Sequence, residues 1–162
     1  MSGKADFTAE EWKLLREAPT SAGMLVMQAD RGGVIRESFS MAKAYTEARA
    51  DHGASQLLDD LVSEKPEVDR TRFESEEELR STLLQHIRDA IALLEERAAP
   101  EEVEDYRRFV MTVANRVAEA HREGFMGMSG ERVSDAERQG LADIAAAAGA
   151  GGDQPGPSPT PE

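Results

Sequence analysis

Apolar residues recur at helical spacing along most of the chain, most regularly from Val103 to Gly124. Val103, Tyr106, Val110, Val113, Val117, Ala120 and Gly124 advance by alternating steps of three and four residues, which places them in one seam of a helix. Glu104, Arg107, Arg108, Asn115, Arg116 and Arg122 fall on the opposite side, so the helix is amphipathic and buries one face. The seam is bulky over its first five positions and small at Ala120 and Gly124, where the pattern predicts close approach of another helix backbone.

The same reading gives the remaining elements. Thr8 can cap a first helix, with Glu11 reaching back to close a capping box and Phe7 packing on Trp12 as a hydrophobic staple. Trp12, Leu15 and Ala18 point inward, and Pro19 predicts that this helix ends at Ala18 and that a short, nearly all-apolar helix over 20–29 follows. After the break Asp30-Arg31-Gly32-Gly33 comes a helix over 35–50, with Ile35, Phe39, Ala42, Tyr45 and Ala48 on one face. Gly53 ends that stretch, and Ser55 caps a short helix bearing Leu57, Leu58, Leu61 and Val62 that stops before Pro66.

Ser75-Glu76-Glu77-Glu78 is a second capping box. It opens a helix to about Ala98 along which Leu79, Leu83, Ile87, Ala90, Ile91 and Leu94 share a face, with the acidic residues at the positive end of the helix dipole. Pro100 suits the first turn of the Val103 helix, so the two long helices, 75–98 and 101–123, are expected to pair as an antiparallel hairpin. Ser134-Asp135-Ala136-Glu137 opens a final helix carrying Leu141, Ile144, Ala145 and Ala148 up to Gly149. No stretch alternates in the manner of a strand. The expected fold is therefore all-α, a single-domain bundle of about seven helices around that hairpin. It would span residues 6–149, behind a flexible lead-in at 1–5 and ahead of a disordered Gly/Pro-rich tail at 150–162 whose removal should leave stability unchanged.

Charge narrows the class of partner. The formal net charge of -13 disfavours nucleic acid, because a polyanion would have to overcome the repulsion before any contact formed. No apolar run is long enough to span a bilayer and the first ten residues lack the apolar core of a secretory signal, so the expected location is the cytoplasm, with no membrane partner. The absence of cysteine removes disulfides, thiolate nucleophiles and sulfur-ligated metals together. Arginine outnumbers lysine by 15 to 4 and alanine is abundant, a composition associated with GC-rich bacterial coding sequence.

Candidate chemistry is sparse. His52, His86 and His121 follow Arg49, Leu83 and Ala118 at three residues' distance, so the Glu-x-x-His pairs of di-metal helical bundles are missing. From Asp30, the third, fifth and twelfth positions are Gly32, Val34 and Met41, which cannot serve as a calcium loop. There is no phosphate-binding Gly-Lys-Ser/Thr ending and no Gly-x-Ser-x-Gly, and no cofactor is expected. Phe125, Met126 and Met128, in a glycine-rich stretch after the Val103 helix, either plug the core or form an interaction loop.

Two segments repeat one plan of helix, glycine loop, hydrophobic residue, acid and helix. Val26 to Asp30 leads through Gly32-Gly33 and Val34-Ile35 to Glu37, and Val117 to His121 leads through Gly127 and Gly130 to Val133, Ser134 and Glu137. This plan, and most of all Gly130-Glu131-Arg132-Val133-Ser134-Asp135-Ala136-Glu137 with Leu141 and Ile144, resembles the tellurite-resistance TerB-like family of helical bacterial proteins. The resemblance implies a divalent-cation site drawn from Asp30, Glu37, Glu119, Glu123 and Glu137, although His121 stands where the family's acidic cluster calls for a carboxylate. The residues themselves point to a non-enzymatic protein that acts by binding another protein or itself. A metal-binding module and a small-ligand binder or enzyme using the Phe125–Met128 loop are the alternatives.

Overall fold

The computed structural model describes residues 1–29, 34–50, 55–68, 72–125 and 135–149, and over 34–40 and 121–125 the backbone path without the side chains. Among these residues there are six α-helices and no strand: α1 (Ala9–Ala29), α2 (Val34–Ala50), α3 (Gln56–Ser63), α4 (Glu76–Arg97), α5 (Pro100–Phe125) and α6 (Asp135–Ala148). A 3-10 turn at Lys4–Asp6 precedes them. The all-α expectation holds. Among the described residues no helix is long and apolar enough to cross a membrane.

The helices assemble on α1, for a reason visible in its middle. Glu17 to Gly23 are all buried, so this stretch has neighbours all the way round, and five of the six residues from Ala18 to Gly23 are small, with Pro19 the other. Small side chains let several backbones approach one helix at once. Gly23 shows how near they come: a methyl group there would sit 3.0 Å from the Met41 sulfur of α2. Accordingly α1 packs most extensively on α4 and α5, and α5 also lies along α2. The expected hairpin is not the organising contact, since α4 and α5 touch each other far less than either touches α1.

The sequence reading broke this helix at Pro19, and the structure runs straight through it. A proline inside a helix has no N–H to give the carbonyl four residues earlier, here that of Leu15. That carbonyl is fully buried, yet the Tyr106 hydroxyl of α5 donates to it at 2.7 Å. Burial pushes the Tyr106 hydroxyl far above its ordinary pKa, with Tyr45 adding to the effect, so it stays a donor. The Thr20 hydroxyl lies between the carbonyls of Glu17 and Glu67, which share its one proton. Two expected helices are thus one, which accounts for six where seven were expected.

Local signals behave as read. Thr8 and Glu11 exchange bonds of 2.8 and 3.2 Å, Phe7 and Trp12 stack at 6.1 Å, and Ser55 and Ser75 accept from the amides of Leu58 and Glu78. In the second box the Glu78 carboxylate reaches the Glu74 amide, one residue upstream of the cap. The α5 seam from Val103 to Val117 is buried throughout, but Ala120 is only half-buried, and the small buried positions are instead Ala114 and Ala118. On α2, Ala42 is exposed, while Met41, Ala44 and Tyr45 face the core. Gly149 ends α6 with φ of 69°, a left-handed value that favours glycine, and Arg107 donates to the Ala148 carbonyl at 2.8 Å. The Asp30–Gly33 break, Gly53, the Ser134 cap and the 150–162 tail lie outside the described residues.

Residues expected as a lead-in are tied to the bundle at several points. The Ser2 amide and hydroxyl donate to Glu102 at 2.7 and 3.0 Å, and the Lys4 amide donates to Asp60 at 2.9 Å. Lys4 Nζ reaches Glu64 at 2.6 Å, where the Trp12 indole N–H also donates at 2.9 Å and Arg16 lies at 3.2 Å. Lys4, then Trp12, hold the Glu64 carboxyl below the usual carboxylate range against the opposing effect of burial, with Arg16 assisting. A carboxyl whose folded pKa is depressed stabilises fully above its unfolded pKa of about 4.3 and loses that contribution as pH falls through the lower folded value. The stability gap between the native chain and Glu64→Gln is therefore expected to be constant from pH 7 to about 5 and to close below about 4. Urea melts of both proteins across that range measure it, and a gap independent of pH would contradict the assignment.

Candidate functional site

An opening lies between α2, α3 and α5 and has a volume of about 340 Å³. Its walls follow from helix geometry. On α5, Asp105, Arg108, Phe109, Thr112 and Arg116 are spaced by three, one, three and four residues and form a stripe beside the buried seam. Ala44, Glu47 and Ala48 face it from α2, and Ser55, Leu58 and Asp59 from the start of α3. The small residues of α2 keep the opening from closing, while Phe109 and Leu58 supply its larger apolar surface. Phe109 is fixed from behind by an edge-on contact with Tyr45, 5.1 Å between ring centres. Burial pushes the Tyr45 hydroxyl up despite Arg16 and Arg49, so the group behind Phe109 stays uncharged.

Charges of both signs ring the apolar part. Arg116 spans the two helices, 2.7 Å from Glu47 of α2 and 2.9 Å from Glu119 one turn along α5. Glu119 and then Glu47 raise its pKa above the ordinary arginine value. Roughly 12 Å along the axis, Arg108 pairs with Asp105 at 3.0 Å, its own side chain 75% exposed and that of Asp105 only 25%. Thr112, midway, returns its hydroxyl to the Arg108 carbonyl at 2.8 Å. Glu47 and Asp105 thereby each face an arginine, and one arginine is far more accessible than the other.

The sequence reading placed its candidates elsewhere. Met126 and Met128 of the interaction loop lie outside the described residues, as does the side chain of Phe125 at the end of α5. Of the five acids implied by the family resemblance, Asp30 lies outside the described residues and the side chains of Glu37 and Glu123 outside the described side chains. Glu119 is half-buried on α5 with Arg116 as its partner, and Glu137 is buried in the first turn of α6. Among the described residues no three His, Asp or Glu side chains gather closely enough to hold a metal ion. The cleft itself was missed because Arg108 and Arg116 read as a solvated face. Phe109, a large aromatic residue between Arg108 and the seam, was the signal that this face is partly covered.

One pair elsewhere has the composition of a nucleophile and its base: Ser21 Oγ of α1 and His86 Nδ1 of α4 are 3.3 Å apart. Ser21 is 1% exposed, enclosed between helices, so no substrate can reach its oxygen. The pair joins α1 to α4. Comparison of the chain with protein-family models, with curated proteins and with solved structures found no match.

Proposed function

We propose that this chain is a non-enzymatic binding module, an acidic cytoplasmic protein of bacterial type, which receives part of a protein partner in the α2–α3–α5 cleft. The observation that carries this reading is the composition of the cleft. Its apolar surface comes from three helices, and charged pairs stand around the edge, where they can orient a guest. Among the described residues of the ring, no nucleophile and base are aimed at a common point. Self-association is the weaker form of the idea, because two copies each carrying -13 repel.

Filling the cleft tests it. Ala48→Trp places a large ring on the α2 wall, while Ala92→Trp adds the same ring to an exposed position of α4. A partner recovered by crosslinking from bacterial extract should be lost with Ala48→Trp and kept with Ala92→Trp; equal recovery by both would overturn the cleft as the site. The divalent-metal reading built on Asp30, Glu37, Glu119, Glu123 and Glu137 has a separate test. An ion bound well below millimolar concentration adds more than about 1 kcal/mol of stability at that concentration. A melt raised strongly by calcium, magnesium, manganese or zinc and restored by chelator would replace the binding-module reading with that one.

A further inference from the structure

Resting on the cleft as the binding site, we infer that its occupant is a basic side chain, the arginine or lysine of a partner segment. Its methylene stem would lie along Ala48, Leu58 and the accessible edge of Phe109, and its charged head would reach Asp105 and Asp59. Long basic side chains suit such a place because they bury an apolar stem while keeping the charge at an edge. The lining holds Glu47, Asp59 and Asp105 against Arg108 and Arg116, and Glu119 behind Arg116 makes the local excess of acid larger. The whole chain carries -13, which attracts a basic segment from a distance and repels an acidic one.

The two arginines differ in what they leave open. Arg116 is engaged by two carboxylates at 2.7 and 2.9 Å on two helices, so it belongs to the wall. Arg108 holds Asp105 through a single one-turn pair with most of its length in solvent, an arrangement that contributes little. Arg108 is thus the resident competitor for Asp105, and an incoming guanidinium or ammonium displaces it by exchanging one ion pair for another.

Three blocked peptides that differ at one position test this: acetyl-Gly-Leu-Arg-Leu-Gly-amide and its versions with glutamate or norleucine in place of arginine. Amide NMR shifts of α2, α3 and α5 report binding to the full chain. The arginine peptide is expected to shift the cleft resonances most strongly, to weaken about tenfold in Asp59→Asn/Asp105→Asn, and to tighten in Arg108→Ala. Raised salt should weaken it. Equal binding of the norleucine peptide overturns the basic occupant and leaves an apolar cleft; stronger binding of the glutamate peptide, or weaker arginine binding in Arg108→Ala, reverses the sign of the proposal. Absence of shifts with all three at millimolar concentration also overturns it, while the Ala48→Trp comparison still decides whether the cleft binds a protein. The asparagine variants keep side-chain shape, and their unchanged helical circular dichroism confirms that lost binding is not lost folding.

Discussion

Tyr106→Phe is expected to lower the free energy of unfolding by about 1–3 kcal/mol, and adding Pro19→Ala to return most of that loss. The substitution removes one oxygen from a fully buried ring and creates almost no cavity. Its effect comes from the Leu15 carbonyl, which Pro19 cannot serve and which is buried in the core. An alanine at 19 supplies the missing N–H inside the same helix. In the native background Pro19→Ala should do little, because Tyr106 already satisfies the carbonyl. The two changes are therefore coupled, and a double-mutant cycle of urea melts measures the coupling. If Tyr106→Phe and the double variant are equally destabilised, the hydroxyl is not what carries α1 through its proline.

A larger loss, about 3–5 kcal/mol, is expected from Trp12→Ala. The indole is 4% exposed, packs on Phe7 and donates to Glu64, a carboxylate that also receives Lys4 and Arg16. Its removal empties a core position and loosens the junction between the first residues, α1 and the segment after α3. Trp12→Phe keeps most of the ring and drops the N–H, so it should fall well short of the alanine loss. Because Trp12 is the one tryptophan, circular dichroism and not fluorescence must follow these melts. A loss below 1 kcal/mol for Trp12→Ala would show that the junction does not anchor the fold.

These residues also mark where sequence reasoning succeeds and stops. Capping boxes, the Phe7–Trp12 staple and the seam on α5 depend on partners within a few positions, and each was legible. Pro19 misled because the group that compensates it lies 91 positions from Leu15. A helix-breaking rule describes one chain segment, whereas the missing donor came from another helix. Ala42 was placed inward by spacing alone, and alanine carries too little surface to decide a face against Met41 and Tyr45, which set the orientation of α2. The cleft was illegible for a related reason: it is a property of three helices together, and Arg108, Thr112 and Arg116 have the same polar pattern whether they face water or a half-open groove.

The attachment of Ser2 and Gly149 to α5 has a topological consequence. Ser2 is held by Glu102, and Gly149 lies against Arg107, where a methyl group would be 3.3 Å from the guanidinium. Those anchors are five residues apart on one helix, roughly 8 Å along its axis. A bridge of about eight residues, each reaching ~3.3 Å, spans the interval with slack. The six helices therefore form an almost closed ring in sequence order, and a circular permutant that joins 149 to 2 and opens between α2 and α3 would keep each helix against its present neighbours.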